Sequence, residues 1–143
     1  MSSRAGALLA ALPLAVTSVV ALLPGTFIGF VLTCDEACGP SRGAWAEPGS
    51  WHWQAIGFTA IGGAVLGVVF YVGVALRRTV LAAAALAGWC ACAVGFLTLM
   101  KGAGFERHTV DGRYAVAILT LLGLVAIALA SGRAQSEARP LAE

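Results

Sequence analysis

The chain has 143 residues, of which 59% are hydrophobic and only 11% are charged, and its mean hydropathy is +0.88. Soluble domains carry about 25% charged residues, so this composition excludes a globule whose whole surface is covered by solvated groups. The formal net charge of +2 is too small to indicate a nucleic-acid-binding protein.

Charged residues lie only at the ends of four long uncharged runs. No Asp, Glu, Lys or Arg occurs within residues 5–33, 48–76, 79–100 and 114–132. About 20 helical residues cross a hydrocarbon core of about 30 Å, and the runs are apolar on every side, unlike barrel strands. A charge at mid-membrane costs roughly 2.5–3.5 kcal/mol. We therefore predict an all-α membrane protein, a single domain over 1–143 that folds as an antiparallel up-down-up-down bundle of four transmembrane helices.

The first helix is predicted over about residues 8–32. It contains Pro13 and Pro24, and each proline removes a backbone donor and favours a kink. A signal peptide cleaved after Ala21 is an alternative interpretation of this run. The apolar sequence continues to Thr33, which favours a transmembrane helix.

Three further helices are predicted over residues 51–76, 80–100 and 114–130. Only Arg77-Arg78 separates the second helix from the third, so these two helices are predicted to form a hairpin. The remaining polar segments are predicted to be two outer loops and a C-terminal tail, at residues 34–50, 101–113 and 131–143.

The basic residues favour one orientation in the membrane. Four crossings place both termini on one side, which holds Arg4, Arg77, Arg78, Arg133 and Arg139. The opposite side holds Arg42, Lys101, Arg107 and Arg113. The positive-inside rule therefore favours, by five to four, a multi-pass protein of the cell membrane with both termini in the cytoplasm. The preference for Arg over Lys, with abundant Ala and Gly, is typical of a GC-rich bacterial genome.

Cys34 and Cys38, in the first outer loop, are the candidate residues for thiol chemistry. In a helical turn their Cα atoms would lie about 6 Å apart, within disulfide range. Redox-active pairs normally have two intervening residues, and the neighbouring carboxylates of Asp35 and Glu36 disfavour a thiolate. We therefore predict a structural disulfide, and a membrane thiol-disulfide oxidoreductase that uses this pair remains an alternative.

Small residues recur at helical spacing in two of the predicted helices. The second helix carries Gly57, Ala60, Ala64 and Gly67, and the third carries Ala84, Gly88, Ala91 and Gly95. Small residues let helix backbones approach closely in lipid, so these helices are predicted to pack on each other or on partner helices. Three tryptophans near the start of the second helix are predicted to anchor it at the headgroup level: Trp45, Trp51 and Trp53.

The sequence offers little for catalysis or ion-coupled transport. The predicted spans contain no charged residue, no paired His for haem and no zinc ligand set. We therefore expect no catalytic residue, metal or cofactor, and we favour a structural or interaction role, as an accessory subunit of a larger membrane complex. The expected partners are the lipid bilayer and other membrane subunits or a second copy, not nucleic acid. A small oligomeric permease for a neutral solute is the second alternative.

Overall fold

The structure is a computed structural model that describes residues 3–23, 51–102 and 106–132. Four helices occupy these residues: α1 Ser3–Thr17, α2 Trp51–Ala75, α3 Thr79–Gly102 and α4 Glu106–Ser131. α1 continues directly into a π-helical turn, Ser18–Leu22, which we call the π-turn. Side chains are described at 4–23, 54–101 and 112–132.

All four helices are long and apolar enough to cross a membrane, over Arg4–Leu22, Gln54–Ala75, Thr79–Lys101 and Gly112–Ser131. The predicted all-α class and the four helices of membrane-spanning length are thereby confirmed. The rest of the predicted first helix, with Pro24, and the loop 34–50 lie outside the described residues.

α4 extends further than the uncharged run from which it was predicted. It begins at Glu106, ahead of the predicted start at Tyr114, and includes Arg107, Asp111 and Arg113. An uncharged run limits what fits in hydrocarbon, but a helix does not end where charges begin.

The helices form a ring in the order α1, α2, α3, α4. Each helix packs against its two neighbours in this order, and the contact between α1 and α4 closes the ring. Across the diagonals, α2 and α4 barely meet, and the backbones of α1 and α3 do not come into contact. The most extensive contact joins α2 to α3. This follows from the connection between them, which consists of Leu76, Arg77 and Arg78 alone.

The turn between α2 and α3 brings the two backbones very close together. The Arg78 N–H donates to the Gly73 carbonyl at 2.8 Å and the Arg77 N–H to the Val74 carbonyl at 3.1 Å. This is the Schellman arrangement, which needs a left-handed residue, and Arg77 has φ of 56°. A Cβ atom on Gly73 would lie 3.0 Å from the Ala82 backbone nitrogen, so the missing side chain of Gly73 lets the start of α3 approach α2 closely.

The described core is rich in alanine, while large apolar side chains face outward. Eight alanines are buried among the described residues: Ala7, Ala11, Ala60, Ala64, Ala82, Ala85, Ala93 and Ala126. Phe58 is 76% exposed, Val80 is 83% exposed and Leu121 is 63% exposed. Lipid tails solvate such side chains as well as a protein core would, so helices in lipid associate through small residues and close backbones. A multi-pass membrane protein has this distribution.

Candidate functional site

Ser18 is the one buried polar side chain among the described residues, with 0% of its surface exposed. Its hydroxyl donates to the Leu14 carbonyl, one helical turn earlier, at 2.5 Å. The same oxygen accepts a hydrogen bond from Nε1 of Trp89 at 2.7 Å. A hydroxyl has one donor and two acceptor positions, so both partners are satisfied. This bond joins the π-turn to α3 across the diagonal of the ring.

Two glycines of α2 make room for the π-turn. A Cβ atom on Gly67 would lie 2.5 Å from Oγ of Ser18, and one on Gly63 would lie 2.7 Å from Cδ1 of Leu22. Real Cβ atoms essentially never make contacts this close. α2 therefore supplies a flat surface on which Ser18 is held within reach of Trp89.

An apolar cavity of about 160 Å³ lies beside the Ser18–Trp89 hydrogen bond and is partly open. We call it the π-turn cavity. Its wall is almost entirely apolar and comes from three elements, the π-turn region, α3 and α4. The residues that define it best are Ser18, Leu22, Trp89, Phe96, Val116 and Leu119.

Two threonine hydroxyls of α2 and α3 are satisfied within their own helices. Thr59 donates to the carbonyls of Ala55 and Ile56, and Thr98 donates to that of Val94. Such back-bonding lets a hydroxyl lie in an apolar medium without an outside partner. These threonines therefore do not form a polar path through the bundle.

One thiol links α3 to α4. Sγ of Cys90 lies 3.3 Å from Oγ1 of Thr120. The Thr120 hydroxyl has a single proton, and it is directed at the Val116 carbonyl at 2.7 Å. The Cys90 thiol is therefore the donor to Thr120. Cys90 and Cys92 are both free thiols, as their positions on one helix, two residues apart, require.

The predicted stripe on α2 mostly faces the bundle interior. Ala60, Ala64 and Gly67 are buried. Gly57 is half-buried, and a Cβ atom there would have nothing within 4 Å. The structure thus brings three of these four residues to helix contacts and leaves open space at the first.

The predicted stripe on α3 is only partly covered by the neighbouring helix. Gly88 faces α2, where a Cβ atom would lie 3.0 Å from Cδ1 of Leu66, and Gly95 faces Thr59 at 3.5 Å. Ala84 and Ala91 lie beside these glycines on the helix surface, but they are exposed. The glycines therefore serve the α2–α3 contact, and the two alanines remain exposed at its edge.

The exposed surface of α3 has a character of its own. Every exposed residue of α3 between its positions 82 and 93 is an alanine: Ala83, Ala84, Ala87 and Ala91. We call Ala84, Ala87 and Ala91 the alanine face, because they lie at spacings of three and four. The exposed surfaces of α1, α2 and α4 carry large side chains, among them Val16, Val68 and Leu121. α3 alone presents a smooth strip along its middle.

Comparisons of this chain with family models, curated proteins and solved structures found no match. Cys34, Cys38 and Trp45 lie outside the described residues, while Trp51 and Trp53 lie in the first turn of α2 with side chains that are not described. Within the described ranges, no group of three or more His, Cys, Asp or Glu could hold a metal ion.

The sequence did not point to the Ser18–Trp89 pair. One signal was present, because Trp89 lies in the middle of its uncharged run and not near an end. An indole N–H in that position needs a buried acceptor, since it cannot reach the headgroup region. The few hydroxyls of the other runs were the available candidates.

Proposed function

We propose that this chain is an integral protein of the bacterial cell membrane whose four helices run antiparallel, with both termini in the cytoplasm. The close pairs along α2 and α3 support the antiparallel order, since they advance along one helix and recede along the other: Gly73 with Ala82, Gly63 with Cys92 and Thr59 with Gly95. The basic turn at Arg77-Arg78 supports the orientation, because positive charge at short turns favours the cytoplasmic side.

We further propose that the protein has a structural or interaction role, as an accessory subunit whose alanine face receives a helix of a partner membrane protein. The observation that carries this proposal is the contrast between the exposed alanines of α3 and the large exposed side chains of the other helices. Leu and Val side chains face lipid as well as Ala side chains do. Small residues are needed where another backbone approaches closely.

A photo-crosslinking experiment tests this role. A photoreactive amino acid is placed at Ala87 on the alanine face, or at Val68, which is exposed on α2, as the matched control. We expect irradiation of native membranes to join position 87 to one membrane protein in high yield, while position 68 gives only lipid adducts. Equal products from both positions, or lipid adducts alone from 87, would refute the proposed interface.

The same experiment separates the two alternatives. A crosslink from position 87 to a second copy of this chain would favour the oligomeric permease over the accessory subunit. The proposal includes a structural disulfide between Cys34 and Cys38, on the outer side. If Cys34→Ser traps a mixed disulfide between Cys38 and another protein, the oxidoreductase alternative is favoured instead.

A further inference from the structure

The π-turn cavity is a space that the proposed accessory role does not use. Its volume of about 160 Å³ is close to that of an apolar protein cavity of about 150 Å³ that binds benzene. By that comparison it has room for about six carbon atoms. It is also partly open, so a longer molecule can place one end inside.

The polar atoms at the cavity wall do not favour water. A buried water needs two to four polar partners. The Ser18 hydroxyl already donates its proton to Leu14 and accepts from Trp89, and the Trp89 N–H is used in the same bond. The remaining wall is formed by Thr17 and by apolar side chains such as Phe96 and Leu119, and its surface is almost entirely apolar. A molecule in this cavity is stabilised by the burial of its hydrocarbon surface.

We propose that the π-turn cavity binds the end of a saturated alkyl chain. A linear chain fits the combination of a small volume and an open side, since the remaining carbons continue outside. The chain end contacts the Trp89 ring, which lines the cavity and is only 2% exposed. The chain comes either from a membrane phospholipid or from a free amphiphile, and the two sources share the same chemistry.

Quenching of Trp89 fluorescence tests this binding. Trp45, Trp51 and Trp53 are changed to Phe, so that Trp89 is the one remaining tryptophan. The protein is reconstituted in phosphatidylcholine vesicles with brominated acyl chains. In a second arm, 1-bromohexane is titrated into the protein in unbrominated detergent. Bromine quenches an indole only at short range, and bulk lipid does not reach a ring that is 2% exposed.

Two variants fill the cavity from different walls. Ala93→Leu enlarges a buried residue of α3, and Ala115→Leu enlarges an exposed residue of α4, both on the cavity lining. Ala117→Leu, at an exposed residue of α4 that does not line the cavity, is the matched control. Ala115→Leu keeps the test valid if the buried substitution prevents folding, which circular dichroism would reveal.

We expect quenching in the parent protein and in Ala117→Leu, and its loss in the cavity-filling variants. Quenching by brominated lipid identifies a membrane acyl chain, whereas saturable quenching by bromohexane alone identifies a free amphiphile. Absence of quenching in both arms, or equal quenching in the filled variants, would overturn the proposal. The alanine-face crosslink is independent of this result, so the two proposals fail separately.

Discussion

Gly67 lies so close to Ser18 that a Cβ atom at position 67 would be 2.5 Å from the serine hydroxyl oxygen. This relationship places three helices at one point, because Ser18 is also hydrogen-bonded to Trp89 of α3. Because Gly67 has no side chain, the Ser18 hydroxyl of the π-turn can reach across the bundle to Trp89.

We predict that Gly67→Ala destabilises the protein by about 1–3 kcal/mol, the usual cost of forcing extra volume into a packed core. The added methyl group must displace Ser18 and with it the bond to Trp89. The matched control is Gly57→Ala, where nothing lies within 4 Å and alanine favours a helix by about 1 kcal/mol. Unfolding of both variants in one detergent measures the difference. Equal stability of the two variants would contradict the packing described at Gly67.

The Ser18–Trp89 hydrogen bond can be measured with a double-mutant cycle. We expect Ser18→Ala and Trp89→Phe to be coupled by roughly 0.6–1.7 kcal/mol, the range found for hydrogen bonds between membrane helices. Thr98→Ala is the control partner, because the Thr98 hydroxyl bonds within its own helix to Val94. A coupling near zero for Ser18 with Trp89, equal to that for Thr98 with Trp89, would show that the bond does not form.

The left-handed conformation of Arg77, with φ of 56°, gives a third prediction. A residue with a Cβ atom pays roughly 1–2 kcal/mol for this conformation, and glycine does not. We therefore expect Arg77→Gly to be more stable than Arg77→Ala by about 1 kcal/mol. Both variants lose the arginine side chain, so their difference reports the backbone alone. Identical unfolding of the two would mean that position 77 is not left-handed.

Helix number and span length could be predicted because they depend on one strong signal, the exclusion of charges from hydrocarbon. The face of each helix that contacts its neighbours could not be predicted as reliably as the number and length of the helices. The predicted stripes included Gly57, which has open space around it, and omitted Gly73, whose missing Cβ is needed at the α2–α3 turn. Spacing identifies residues that share a face, but only the position of the neighbouring helix shows which face is in contact.

The site was harder to predict than the fold for a related reason. Ser18 and Trp89 are 71 residues apart, and a single serine in an apolar run has no spacing pattern that names its partner. The alanine face also falls within an alanine-rich run, where Ala82, Ala85 and Ala93 are buried and Ala84 and Ala87 are exposed. Residues of one type on both faces carry no signal about which side is free.

Labelling of single cysteines tests the proposed orientation. We expect a membrane-impermeant maleimide, added to intact cells, to label a cysteine at position 41 but not one at position 78 or 136. After permeabilisation all three should react. The four native cysteines, Cys34, Cys38, Cys90 and Cys92, are changed to Ser in these variants so that they do not contribute. Labelling of position 78 in intact cells would place the Arg77-Arg78 turn outside and reverse the orientation.

Affinity capture from gently solubilised native membranes tests the accessory-subunit role most directly. The wild-type chain is compared with Ala87→Phe, which obstructs the alanine face, and with Val68→Phe, which changes the exposed surface of α2. We predict one membrane protein in stoichiometric amount with wild type and Val68→Phe, and its loss with Ala87→Phe. Recovery of the chain alone from wild-type membranes, or capture that Ala87→Phe does not reduce, would contradict the account.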